Sequence, residues 1–191
     1  MILNKDNATI KSIGRDVQIG ERVEFKGFKD KHLFLYIGDN VKIENDVRIV
    51  VGGFVIISND VTLHNHVTIH GPGNCTIGDR TWVGQQSALD ATGDLEIGAD
   101  CCIGFNCQIW SHVGRVPKLP NIRFEGKKKT VLKNRVWLQG GLITVNPGVI
   151  LEEDCVILSN SVVNHNTLPN KVYGGVPAKI IEKFNSPYIT E

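Results

Sequence analysis

Branched aliphatic residues recur along the chain at Ile37, Ile43, Ile49, Ile57, Leu63, Ile69, Ile77, Val83, Leu89, Ile97, Ile103 and Ile109, in steps of six, six and eight. A six-residue period is neither helical nor simple strand alternation, and its regularity marks an internal repeat. Typical units are Ile37-Gly38-Asp39-Asn40-Val41-Lys42, Ile77-Gly78-Asp79-Arg80-Thr81-Trp82 and Ile103-Gly104-Phe105-Asn106-Cys107-Gln108. The β-branched positions suit a short strand, whereas Gly and Asx suit a turn. One hexad is then a strand plus a turn, and three hexads make a triangular coil. Stacked coils bury an aliphatic column, and because no coil can bury its own face alone, the array is stable only as a whole.

The places where the ladder stretches are informative. Each eight-residue step follows a third rung, after Ile49, Ile69 and Leu89. Past Ile109 the ladder breaks, then resumes as Leu132, Leu138, Thr144, Leu151, Ile157 and Val163, with a seven-residue step after Thr144. Counted in threes, every insertion is expected to leave by the same edge, and such edges carry binding loops. Ile13, Ile19 and Phe25 keep the six-residue step but lie out of phase with the later coils. The chain is therefore read as one all-β domain over residues 1–191. Residues 1–36 form an imperfect N-terminal capping coil, 37–176 form regular coils with a protruding loop at 110–131, and 177–191 form a short C-terminal helix opening at Pro177 and a tail.

Composition narrows the function classes. With 21 basic and 20 acidic residues, bulk charge offers no pull toward nucleic acid or a membrane surface. No apolar run approaches the ~20 residues of a membrane span, and the first residues lack a signal-peptide layout. A cytoplasmic protein is expected. Cys75, Cys101, Cys102, Cys107 and Cys155 show no disulfide spacing and read as small buried thiols in a reducing compartment.

The 110–131 segment begins Trp110-Ser111-His112 and is aperiodic and rich in Pro and Lys. A loop of about 20 residues in a compact repeat is usually functional. Shifting by one coil, twenty residues, puts His112 near Thr92 and Gly93, and Trp110 above Asp90, with His70 below that. An imidazole on a rigid edge near a carboxylate suits a general base, because it needs a partner to fix its tautomer. A polar loop histidine is the competing reading. Asp90 either orients His112, holds a substrate, or serves the turn Asp90-Ala91-Thr92-Gly93-Asp94.

Three downstream motifs add a resemblance: Val136-Trp137-Leu138-Gln139-Gly140-Gly141, Asn146-Pro147-Gly148-Val149 and Tyr173-Gly174-Gly175-Val176-Pro177-Ala178-Lys179. In this order, on top of the hexads, they resemble the hexapeptide-repeat acyltransferases, closest to sugar O-acetyltransferases of the maltose/galactoside and polysaccharide-modifying type. The resemblance implies a left-handed parallel β-helix, an exception to the right-handed crossover rule. It also implies that His112, which follows the Ile103–Ile109 hexad, is the base in direct acetyl transfer from acetyl-CoA to a sugar hydroxyl. The acceptor would meet Asp90, Gln86, Thr92 and Trp110, with Gln85 and Gln86 standing where some relatives carry asparagine. Pantetheine would lie between subunits of a homotrimer, along Gly140, Gly141, Ser159 and Gly175, with Trp137 as a wall. Pro177 and Ala178 would lie near adenine and Lys179 near a phosphate; Lys127, Lys128 and Lys129 could attract CoA phosphates or form a solvated loop tip. Leu138-Gln139 and Leu151-Glu152-Glu153 depart from the family's Ile-Gly and Ile-Gly-Asp, which puts the groove's detailed shape in question.

Other readings stay open at this stage. One is an N-acetyltransferase of an amino sugar or nucleotide-linked amino sugar. Another is a zinc carbonic-anhydrase-like β-helix using His64, His66 and His70, although their spacing differs from that family's split pattern. A non-catalytic scaffold is a third. The acceptor and the acyl length are not legible in the sequence.

Overall fold

A computed structural model describes residues 7–114 and 126–182. The chain winds as a left-handed parallel β-helix of three sheets. Sheet A holds seven strands, from Ala8–Ile13 to Ile150–Leu151, and sheet C seven, from Glu24–Gly27 to Val162–Val163. Sheet B holds nine, from Gln18–Ile19 to Lys179–Ile180. The path runs A, B, C and back to A, giving A–B, B–C and C–A corners. The ladder residues stack in direct register: Ile37, Ile57, Ile77 and Ile97 in sheet A, Ile43, Leu63, Val83 and Ile103 in B, Ile49, Ile69, Leu89 and Ile109 in C. These rungs are buried, and each contributes roughly 1.5–3 kcal/mol of hydrophobic stabilisation.

The hexad's other positions follow from the same stacking. Its fourth residue sits in the left-handed region, as at Asn40, Asp60, Asp100 and Asn106, where Asn and Asp cost least. The glycine in second place is needed for approach between coils: a Cβ on Gly78 would sit 2.6 Å from the Ala99 nitrogen. Thr81 and Ser87 face inward but are paired with the next coil, Thr81 Oγ1 donating to the Gly98 carbonyl and Ser87 Oγ to that of Gly104. No buried side-chain N or O among the described residues lacks a partner. Cys75, Cys101, Cys107 and Cys155 are buried and Cys102 half-buried, all unpaired; burial pushes Cys75 and Cys107 up to about 12.

Three expectations change. Ile13, Ile19 and Phe25 are in register after all, directly under Ile37, Ile43 and Ile49. The first coil is four residues longer than the twenty-residue coils directly above it, and the extra length is taken up at the C–A corner between Phe25 and Leu33. The rung after Leu138 is Val145, not Thr144: Val145 pairs with Ile109 and Val163 and is buried. The extra residue of that coil therefore leaves at the B–C corner, through Gly140-Gly141-Leu142, and not at the C–A corner. Finally, no helix occurs among the described residues. In place of the expected C-terminal helix, Lys179–Ile180 runs antiparallel to Val172–Gly174. The amides of Ala178 and Ile181 donate to the carbonyls of Val162 and Val172, so they are spent on the last coil and not on helical turns. Residues 183–191 lie outside the described part, as do 115–125 of the loop. Among the described residues no helix is long and apolar enough to cross a membrane.

Candidate active site

The long loop leaves sheet C at the C–A corner and returns to the same place. His112 bridges antiparallel to Lys127, Val113 N donates to the Gly126 carbonyl and Lys128 N to that of Ser111. These bonds clamp the two feet of the loop together over the strand Ala88–Asp90. Asp90 would otherwise point outward, in line with Val50 and His70. The clamped feet cover it, leaving its side chain 1% exposed.

Under that cover Asp90 gathers donors. His112 Nδ1 lies 2.6 Å from Oδ2, and Ser111 N donates to the same oxygen at 2.8 Å. Thr92 serves Oδ1 through its amide at 3.0 Å and its hydroxyl at 2.6 Å. Burial by itself would raise the carboxyl's pKa; the bonds from Thr92, His112 and Ser111 outweigh it and hold the group below the usual carboxylate range. Ionised Asp90 accepts a hydrogen bond from Nδ1–H and so fixes the imidazole tautomer, leaving the Nε2 lone pair available. Nε2 bonds to no other described residue, and the ring is 29% exposed. A buried carboxylate orienting a partly exposed imidazole can work as a general base.

Sequence reasoning missed Ser111. It is fully buried, and its hydroxyl bonds to the Asp90 carbonyl at 2.6 Å while accepting from Gly93 N at 2.8 Å. The signal was present in the inward positions Val51, Gly71, Ala91 and Ser111, spaced by twenty, where only Ser carries a hydroxyl. Trp110 flanks the site, its ring centroid 6.3 Å from that of His112.

The remaining candidates lie elsewhere. Gln85, Gln86, Gly140, Gly141 and Ser159 sit at the B–C corner, Trp137 on the outer face of sheet B beside it, and Gly175 in the turn that follows the B strand Val172–Gly174. Gly141 and Ser159 are adjacent in successive coils: the Gly141 carbonyl accepts from Asn160 N, and a Cβ there would lie 3.7 Å from Ser159 Oγ. Gly175 N donates to Ser161 Oγ, Pro177 is exposed in the final turn, Ala178 is buried and Lys179 is exposed. Lys129 pairs with Glu96, and the Lys128 stem lies over Gly148. Within one chain, sheet C separates this corner from His112 and Asp90. The zinc reading does not fit: His64 and His66 lie at the B–C corner beside Glu44 and Asp46, while His70 ends a C strand at the other edge. No three His, Cys, Asp or Glu among the described residues converge as metal ligands.

No family model matches the chain. It is 44% identical over 66 residues, 35% of its length, to WbbJ of Escherichia coli, named for lipopolysaccharide biosynthesis O-acetyl transfer, and covers 33% of that protein. It is 25% identical over 158 residues to galactoside O-acetyltransferase of Escherichia coli, covering 81% of this chain and 66% of that one. The chain is similar to O-acetyltransferases. It spans between about one third and two thirds of the length of these relatives. Among solved structures it matches the polySia-specific acetyltransferase NeuO with a TM-score of 0.65 at 18% identity, covering 96% and 91% of the two chains. It also matches AntD of Bacillus cereus, an N-acyltransferase solved with dTDP and 3-hydroxybutyryl-CoA, with a TM-score of 0.60 at 18% identity over 90% and 82%. At such identities these matches bear on the fold, and they agree with the left-handed β-helix.

Proposed function

We propose that the chain is an acetyl-CoA-dependent O-acetyltransferase acting on a sugar hydroxyl, with His112 as general base. The observation that carries this is the 2.6 Å contact between His112 Nδ1 and buried Asp90, on a fold and sequence shared with O-acetyltransferases. His112 Nε2 takes the hydroxyl proton as the oxygen attacks the thioester carbonyl. The tetrahedral intermediate, its oxyanion held by a backbone amide, collapses to the acetyl ester and CoA thiolate. The thiolate then takes the proton back from the imidazolium, so His112 returns neutral. Thr92 and Trp110 flank this centre and would contact the acceptor.

The donor is assigned to the B–C corner. Gly140 and Gly141 have positive φ, 104° and 74°, and no side chains, which lets a thin pantetheine approach the backbone. Ser159 and Gly175 continue this path, Trp137 walls it, and Lys179 beside Pro177 and Ala178 would meet a phosphate. Since this path and His112 occupy different corners of one prism, the reading requires the B–C corner of one subunit to face the C–A corner of another, as in a closed homotrimer. Five free thiols and a thioester donor fit a reducing cytoplasm.

The test is CoA release from acetyl-CoA across sugars, amino sugars and nucleotide sugars. His112→Ala should lower turnover by about 10²–10⁴-fold. Unchanged transfer by that variant would remove the mechanism, and exclusive reaction of amino sugars would reassign the acceptor atom to nitrogen.

A further inference from the structure

The B–C corner carries a second feature, below the donor path. An open groove of about 620 Å³ runs along three coils, lined by Asn45, Asn65, His64, Trp82, Gln85 and Gln86. Its aromatic part is built: His64 Nδ1 is fixed by Glu44 at 2.9 Å, and the imidazole packs edge-on to the Trp82 indole with centroids 4.6 Å apart. Lys42 braces Glu44 from the other side at 2.9 Å. Its polar part is a file of amides. Asn65 Oδ1 accepts from Asn45 N and Asn45 Oδ1 from Glu21 N, which leaves each side-chain NH2 without a bond to another described residue. The Gln85 and Gln86 side chains are exposed.

Amide groups beside an aromatic ring match the chemistry of a carbohydrate. Vicinal hydroxyls need both donors and acceptors, and the polarised C–H face of a pyranose suits the negative face of an indole. The groove is open to solvent and mixes these polar groups with the ring surfaces of Trp82 and His64. Its length sets the number of sugars: coils lie about 4.8 Å apart, close to one pyranose unit, so three coils accommodate two or three units. Its position sets their direction. Sheet C separates the groove from His112 of its own chain, so a sugar in the groove reaches the His112 of the neighbouring subunit in the closed trimer proposed above. His112 belongs to the coil of Phe105 and Asn106, and the groove starts one coil below, at Gln85 and Gln86, and descends away from Gly140 and Gly141.

We propose that the acceptor is a segment of an oligosaccharide or polysaccharide, with one sugar at the reacting centre and the next two or so in the groove of Trp82, His64, Asn45 and Asn65. This rests on the acetyltransferase reading and narrows its substrate class from sugars in general to chains of sugars.

Series of one to four units built on galactose, glucose, N-acetylglucosamine and sialic acid, assayed with the full chain, test it in two ways. CoA release gives kcat/KM, and saturation-transfer NMR without acetyl-CoA gives binding alone. In the series that reacts, kcat/KM should rise about tenfold or more from one unit to three. Trp82→Ala and, separately, His64→Ala should erase most of that rise, acting mainly through KM. Tyr36→Ala, on the outer face of sheet A, should leave it intact, and thermal melts establish that each variant is folded. Equal kcat/KM at all lengths, with transfer observed, would overturn the inference while leaving the acetyltransferase reading in place. Length-dependent binding lost in Trp82→Ala, with no CoA release from any series, would uphold the groove and sink the catalytic reading. Failure of every oligomer to bind or react would overturn the groove.

Discussion

Asp90 concentrates the risk and the use of this site in one carboxylate. It is almost wholly buried, yet Thr92, Ser111 and His112 all donate to it, so its charge is compensated by hydrogen bonds and not by a fixed cation. Asp90→Asn keeps the volume but sets an NH2 group against at least one of those donors. The expected cost is about 2–3 kcal/mol in urea unfolding, together with a loss of acetyl transfer, because the imidazole tautomer is no longer fixed. The pH dependence has a definite sign. The folded carboxyl titrates below its unfolded value, so its stabilisation is present above about pH 4 and fades as pH falls through the lowered folded value. The urea midpoints of wild type and Asp90→Asn should therefore converge on acidification from about pH 7 to pH 3. A gap that stays constant over that range would mean that the native carboxyl titrates at its unfolded value, and a gap that widens would mean that Asp90 is held protonated in the native state.

At the scale of elements, the corner loop Gly140-Gly141-Leu142 shows where stability has been set aside. Among the described non-glycine residues with positive φ, Leu142 at 59° is the one aliphatic case; the others are polar or charged. It is also 60% exposed, so neither burial nor a side-chain bond explains an apolar residue in a strained conformation. Leu142→Gly should raise stability by about 0.5–1 kcal/mol, the relief of strain exceeding the entropy lost. If the donor lies at this corner, the same variant should raise KM for acetyl-CoA; a stability gain with unchanged KM would confine Leu142 to a structural role. This loop is also where the sequence is hardest to read. The six-residue period identifies the coil, the corners and the rungs from Ile37 to Ile109, because each rung is set by burial and stacking alone. Between Leu138 and Leu151 the period permits either Thr144 or Val145 as the rung, since both are β-branched. Burial decides for Val145, because a threonine hydroxyl in the column would need its own partner. The C-terminal segment misleads for a different reason. Pro177 fits a helix start locally, but the carbonyls of Val162 and Val172 on the last coil take the amides of Ala178 and Ile181, and only the assembled stack presents them. Likewise the nearness of Asp90 to His112 follows from the twenty-residue coil, while the burial of Asp90 depends on the loop's feet folding back, which no periodicity encodes.

The molecule as a whole is a prism whose proposed half-sites lie on different corners, and that arrangement can be tested without knowing the acceptor's full structure. If one chain sufficed, a variant lacking His112 and a variant blocked at the B–C corner would each be inactive, and so would any mixture of them. In a closed trimer, a site combines the C–A corner of one subunit with the B–C corner of the next. Co-folding equal amounts of His112→Ala and Gly141→Trp chains then creates sites in which both halves are intact. Random assembly gives each half an even chance of being the good one, so about a quarter of the sites, and about a quarter of wild-type turnover, should return. Light scattering on the same sample should report three times the 21.1 kDa of one chain. Gly141→Trp is suited to the purpose because a Cβ at that position meets only Ser159, at 3.7 Å, so the large side chain projects from the corner. Its positive φ adds strain, and a melting curve for the variant alone separates misfolding from blockage. Activity that stays at the level of the separate variants, in a sample that light scattering shows to be trimeric, would place donor and base on the same chain and refute the division of the site between subunits.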